Sequence, residues 1–243
     1  SQFVTNFEAA EGVQLFNRKN GRLESLTEAG RKIYRYATEI VNRHEEMLSM
    51  IHIEAQKQKG TINLGIPSLI LRVYFASALP HFLKNNPHIH IQVTEGGGKE
   101  IRQKMVDGDL NLSILIEPTS LDAKKYEQHI IQLDEYVAYM DKDHPLAQKS
   151  LLEWSDIASY ELATFNKTFT TYDLVTEKLR SQRIEAKFAY LSSTWDFLVE
   201  STHQTDLIAL LPRPVEYFVD KSRFKAVRFK DPIPFNIWFC RPY

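Results

Sequence analysis

Cysteine is nearly absent from this chain: Cys240 is the only one in 243 residues, which excludes an internal disulfide and any metal or redox site that needs two thiolates. It falls in the apolar run Ile237-Trp238-Phe239-Cys240, where a buried, inert thiol is the expected role. Long hydrophobic runs are also missing. No stretch approaches the roughly 18 apolar residues that span a membrane, and no secretion signal is visible, so a cytoplasmic protein without a membrane partner is expected. Catalytic signatures are absent too. The chain has no phosphate-cradling glycine motif, no HExxH and no nucleophile elbow, so neither an enzyme nor a cofactor is expected. Gly96-Gly97-Gly98 reads as a strand-to-helix turn. His88 and His90 share one strand face, yet no carboxylate or cysteine pattern completes a metal set around them.

Charge is balanced overall, at a formal −1, but not evenly placed. Residues 17–35 carry Arg18, Lys19, Arg22, Arg31, Lys32 and Arg35 against only Glu24 and Glu28, so the basic character gathers where a phosphate backbone could be met. A solvated charged loop accounts for the charge alone about equally well. In the middle of this segment, Asn20-Gly21 is the dipeptide best suited to a tight type I′ hairpin turn. Thr27 then offers an N-cap hydroxyl and Glu28 a negative charge at the helix start, although Gly30 stands where a capping box would carry Glu or Gln. A helix over about 28–57 follows. Ile33, Ala37, Ile40, His44, Met47 and Ile51 recur at heptad spacing along it, a seam suited to a second copy of the same helix. His44 on that seam is read as a register-setting polar residue. The alternative is a long helix packed within one domain.

Beyond Gly60 the pattern alternates between short strands and helices, which indicates α/β architecture with a parallel sheet covered on both faces. Expected strands are 61–66, 89–93 and 110–116. Expected helices are 69–83, 99–106, 151–158 and 172–182. A second lobe should begin near Tyr160 and contain the strand 206–211, and the chain should return to the first lobe between about 227 and 234.

The blocks Ser1-Gln2, Val4-Thr5, Gly12-Val13-Gln14-Leu15-Phe16-Asn17-Arg18 and Leu26-Thr27-Glu28-Ala29-Gly30 resemble the LysR-type transcriptional regulators. So do Gly60 to Gly65, Phe82 with Pro87, Glu95-Gly96, Gly108 to Ile114 and His144-Pro145-Leu146-Ala147. Departures are Asn111 in place of an Asp, Gly97-Gly98 where a hydroxyl residue often lies, and a short interval between Ser1-Gln2 and Gly12. The chain begins inside what the resemblance makes the recognition helix, and it ends before the family's usual terminal helix. The resemblance implies a partial, all-α winged helix-turn-helix over 1–27 and a dimerising linker helix over 28–59. A two-lobed, periplasmic-binding-protein-like effector domain over 60–243 follows, with lobe I at about 60–160 and 227–243 and lobe II at about 161–226.

It further implies double-stranded promoter DNA as a partner, contacted by Ser1, Gln2, Thr5, Arg18, Lys19 and Arg22. Dimerisation falls to Ile33, Ala37, Ile40, Met47 and Ile51, and the dimers are expected to assemble into a tetramer. A small-molecule effector is expected in the cleft, where open sheets place ligands beyond the ends of their strands. Its candidate contacts are Ser68, Leu69, Gly98, Thr164, Asn166 and Ser193. Ser68 is favoured most, because its hydroxyl and nearby N–H groups suit an anion, although a plain N-cap is an equal reading. A two-lobed binding protein of transport type is the alternative, and the basic hairpin with its heptad helix is what tells against it.

Overall fold

A computed structural model describes residues 2–57 and 60–243. It divides into two compact units, residues 1–52 and 53–243. In the first, helix α1 (Gln2–Glu11) leads to a hairpin of β1 (Phe16–Lys19) and β2 (Arg22–Leu26), and then to helix α2 (Glu28–Lys57). The turn forms as the sequence predicts. Asn20 and Gly21 take φ of 50° and 74°, the two positive values that a type I′ turn requires. Thr27 caps α2, its Oγ1 accepting the N–H of Gly30 at 2.9 Å. Gly30 replaces the capping-box residue for a steric reason: a Cβ there would lie 2.0 Å from the Leu15 carbonyl oxygen. At 1.5 Å per residue α2 is roughly 45 Å long.

The second unit contains two mixed sheets. The first has the strand order β4-β3-β5-β13-β6, built from β3 (Thr61–Ile66), β4 (His90–Glu95), β5 (Leu112–Ile116), β6 (Tyr126–Gln132) and β13 (Ile237–Pro242). The second has the order β10-β9-β11-β7-β12-β8. Its members are β7 (Tyr136–Asp141), β8 (Leu151–Leu152), β9 (Leu162–Phe165), β10 (Phe188–Ser192), β11 (Ile208–Pro212) and β12 (Phe224–Phe229). Strands β3, β4 and β5 are parallel, as are β9, β10 and β11. The antiparallel strands are those next to the two crossings between sheets: β13 pairs antiparallel with β5 and β6, and β7 with β11 and β12.

Those crossings correct the expected lobe boundaries. Strands β7, β8 and β12 belong to the second sheet, so the chain leaves the first sheet near Asp134 rather than near Tyr160, and it returns near Pro234, at the far end of the expected interval. The outgoing and returning segments hold each other. Phe235 N–H donates to the Asp134 carbonyl at 2.7 Å, Asp134 N–H to that of Phe235 at 3.1 Å, and Tyr136 N–H to that of Ile233 at 3.0 Å. Asp134, whose side chain is 3% exposed, accepts Nε of Arg213 at 2.8 Å and Nη2 at 3.1 Å, tying the crossing to the end of β11. Tyr74 lies against the same carboxylate, and burial pushes its hydroxyl up to about 12.

Two expected helices differ. Residues 69–83 form not one helix but α3 (Ser68–Ile70), a π-helical turn over Leu71–Phe75 and α4 (Ala78–Asn85). Pro80 has no N–H to donate and is accommodated only in the first turn of a new helix, so the run is interrupted before it. Residues 151–158 instead give β8 and a 3₁₀ turn, Trp154–Ile157. There the indole stacks on Phe229 at 4.0 Å and donates to the Asp231 carbonyl at 2.8 Å. Two further helices agree closely with expectation, α5 (Gly98–Val106) and α6 (Thr170–Ser181), and a short helix, α7 (Trp195–Glu200), follows β10.

Cores fill both sheets. Leu64, Ile66, Ile114 and Ile116 belong to one cluster with Ala138 and Leu210, and Val137, Tyr139, Ala163 and Leu211 to another. Fully burying one such aliphatic side chain contributes about 1.5–3 kcal/mol. Cys240 is completely buried, and burial pushes its thiol up to about 12.

The crossing yields a first prediction. Asp134→Asn should lower unfolding free energy by about 1.5 kcal/mol in urea titrations, near the lower end for charged hydrogen bonds because Arg213 is 34% exposed and partly solvated. A change within error would show that the crossing is held by its backbone pairs alone.

Candidate ligand cleft and basic hairpin

The two sheets face each other across α5 and the loop after β9. Gly97 is the N-cap of α5 in extended backbone, φ −71° and ψ 151°. Its lack of a side chain lets the other lobe approach: a Cβ would lie 2.3 Å from the Thr168 carbonyl oxygen. Lys99 reinforces this seam. Its N–H donates to the Thr168 carbonyl at 3.3 Å, its Nζ to the Lys167 carbonyl at 2.8 Å, and the same Nζ pairs with Asp173 at 2.7 Å. Asn166 shapes the loop from the far side, its Oδ1 accepting Thr168 N–H at 3.0 Å.

On one side of the seam is a cavity of about 500 Å³ whose wall includes Ser68, Ser193, Glu95, Glu100, Trp195 and Asp196. Its charge is of one sign, with three carboxylates and no Lys or Arg among the lining residues. Glu100 is partly neutralised by Lys104 at 3.4 Å, whereas Glu95 has no ion-pair partner among the described residues. On the other side is a cavity of about 550 Å³, lined by Gly98, Lys99 and Arg102 of α5 and by Asp173 and Glu177 of α6, together with apolar and hydroxyl side chains. Among the described residues no group of three or more His, Cys, Asp or Glu could hold a metal ion.

The expected contact residues divide between these places. Ser68 and Ser193 share the first cavity and Gly98 lines the second. Ser68 is not the N-cap of its helix; Pro67 is, with no side-chain cap. Leu69 is 5% exposed within a core cluster. Thr164 is fully buried and donates to the Leu210 carbonyl at 2.7 Å, so its hydroxyl serves the sheet and not a cavity. Asn166 stands behind the seam without lining either cavity. An anion at Ser68 would meet the carboxylates of the same wall, which opposes the expectation attached to that residue.

Glu95, Arg102, Thr168 and Asp196 were missed. Glu95 is the last residue of β4 and Thr168 lies just past β9, both at C-terminal strand ends, so position alone could have found them. Arg102 sits inside a helix, where only the phase relative to Gly98 signals it.

At the hairpin, Arg18 is committed within the protein. Its Nη2 pairs with Glu8 at 2.5 Å and donates to Thr5 Oγ1 at 3.3 Å, and Glu8 also accepts the N–H groups of Leu15 and Phe16 at 2.8 and 3.0 Å. The Arg18 guanidinium, followed by the Leu15 N–H, holds the Glu8 carboxyl below the usual range. Lys19 and Arg22 flank the turn and are exposed, Lys19 lying 3.9 Å from Glu24. Gln2 is exposed on α1, while Ser1 lies outside the described residues. On α2 the seam side chains are open: Ile33 is 39% exposed, Ile40 69%, Met47 49% and Ile51 58%, and Ala37 is exposed as well.

Residues 55–243 match the LysR substrate binding domain family. The chain belongs to the LysR-type transcriptional regulators. Over 233 residues, 96% of this regulator and 76% of its relative, it is 24% identical to the uncharacterized HTH-type transcriptional regulator YwbI of Bacillus subtilis. It is 25% identical to the HTH-type transcriptional regulator CysB of Burkholderia cenocepacia over 70% of its own length, spanning 54% of CysB. The fold of the regulatory domain of CcmR from Synechocystis PCC6803, solved in complex with 2-PG, is similar with a TM-score of 0.68 at 15% identity. That similarity covers 75% of this LysR-type chain and 87% of the CcmR domain. The matched relatives are regulators, and no helix among the described residues is long and apolar enough to cross a membrane.

The seam gives a paired prediction for this regulator. Gly97→Ala should cost about 1–3 kcal/mol in a denaturant series, since backbone of the opposite lobe must move. Gly96→Ala should cost under about 1 kcal/mol, because its Cβ would meet only the end of the flexible Glu100 side chain, 2.9 Å away. Equal effects would show that the lobes separate freely at this point.

Proposed function

We propose that the chain is a DNA-binding transcriptional regulator whose two-lobed domain senses a small-molecule effector and changes promoter binding or bending. The observation that carries this reading is the exposed heptad seam of α2 directly following a basic hairpin. An apolar stripe on a helix roughly 45 Å long is poorly suited to water and suits a second copy of itself. Pairing two chains along Ile33, Ala37, Ile40, Met47 and Ile51 would place two hairpins on one duplex. Lys19 and Arg22 would then contact phosphate, and the exposed face of α1, with Gln2 and Thr5, would enter the major groove. Arg18 acts by bracing the hairpin onto α1 through Glu8.

Effector binding in the cleft favours one lobe arrangement. Contacts between effector domains of paired dimers would carry that preference to the spacing of the DNA-binding elements in a tetramer. The names of the relatives, HTH-type regulators, support the reading, as does a fold neighbour solved with 2-PG bound.

Two measurements test it. Lys19→Ala with Arg22→Ala should weaken retention of the chain's own promoter and reduce the salt slope of binding by about 2, one for each phosphate that these two side chains neutralise. Ile40→Asp with Ile51→Asp should convert the dimer to monomer in sedimentation. An unchanged salt slope would remove the hairpin from the interface, and an intact dimer would remove the seam.

A further inference from the structure

The cleft is divided by charge. In the chamber that holds Ser68 the lining charges are all negative, but the chamber on the other side of the Gly97–Thr168 seam offers a guanidinium. Arg102 on α5 is half-buried there, and it has no ion-pair partner among the described residues. Every other charged residue of that wall does: Lys99 pairs with Asp173 at 2.7 Å, and Glu177 is held by Arg180 at 2.8 Å. Two hydroxyls on the same wall, Ser120 and Thr170, make no side-chain hydrogen bond among the described residues. Leu115, Ile116, Pro118 and Leu174 supply the apolar part of the wall.

We infer that this chamber binds a small organic acid, its carboxylate held by Arg102 with Ser120 and Thr170, and its apolar body against Pro118 and Leu174. The inference rests on the effector reading of the cleft and moves its anion subsite from Ser68 to Arg102. A planar guanidinium donates two parallel bonds to a carboxylate, and hydroxyls without partners complete the remaining lone pairs. The apolar lining gives an acid with a hydrocarbon body an advantage over a bare inorganic anion, which would leave that surface wet. A cavity of about 550 Å³ has room for a ligand of this size.

The test is calorimetric titration of the full chain with phenylacetate and hexanoate, with phenylacetamide and inorganic phosphate as controls. Both acids should bind one per chain, and both controls should bind far more weakly. Arg102→Gln should weaken acid binding about tenfold or more, with the melting temperature unchanged. Thr170→Val should weaken it less, and Ser68→Ala should leave it as it was. Thr170→Val also keeps the test decisive should Arg102→Gln fail to fold. Four outcomes would overturn the inference: no binding of either acid at millimolar concentration, affinity untouched by Arg102→Gln, loss on Ser68→Ala instead, or phosphate binding as tightly as phenylacetate. Promoter retention measured on the same samples separates the two levels. Absent DNA binding would defeat the regulator reading while leaving the acid-binding result in place.

Discussion

The double crossing at Asp134 and Phe235 is the constraint from which the rest of the two-sheet unit follows. Two segments of chain, distant in sequence, satisfy each other's backbone groups there, and Arg213 holds the carboxylate between them. Because the strands entering and leaving this junction run opposite to their neighbours, both sheets become mixed. Their parallel portions keep their C-terminal ends, where ligands are met, turned toward the common cleft. A junction built from paired backbone hydrogen bonds also sets how the lobes can move: they can rotate about it without unpairing either sheet.

Across the cleft, the contact that opposes such rotation is made by backbone. Gly97 and the Thr168 carbonyl approach closely, and Lys99 bridges the loop to α6. The space between the lobes is thereby split into one chamber whose lining charges are acidic and one presenting Arg102. Neither chamber is a copy of the other: three carboxylates and no Lys or Arg line the first, while Lys99 and Arg102 stand beside Asp173 and Glu177 in the second. The seam itself is weak enough to be remade: it consists of a few hydrogen bonds and an ion pair that is largely exposed to solvent and correspondingly screened.

Much of this was legible in the sequence where local physics decides the outcome. The Asn20-Gly21 turn, the Thr27 cap and the span of α2 all depend on neighbours within a few residues, and they appear as read. Strands β3, β4, β5 and β11 were visible as apolar or alternating runs, to within a few residues at their ends. What escaped was non-local. The placement of β7 and β12 in the second sheet is fixed by partners some 70 to 90 residues away in sequence, which periodicity does not encode. Residues 151–158 have helical spacing, yet β12 takes Leu151 and Leu152 as an edge strand and Trp154 finds Phe229. For the site, position at strand ends located Ser68 and Ser193. Thr164 was misplaced because a hydroxyl inside a fully buried strand reads the same as one at its end.

Strand order in the first sheet also bears on how the chain is made. β13 lies between β5 and β6, yet it follows every strand of the second sheet in sequence. During N-to-C synthesis β5 and β6 therefore emerge with a vacant lane between them, while residues from Tyr136 to Phe229 form a continuous stretch able to assemble first. The sheet that carries α5 and Arg102 is completed only when β13 enters that lane. The wall of the cleft that carries α5 thus depends on a strand made after the whole segment that forms the facing lobe.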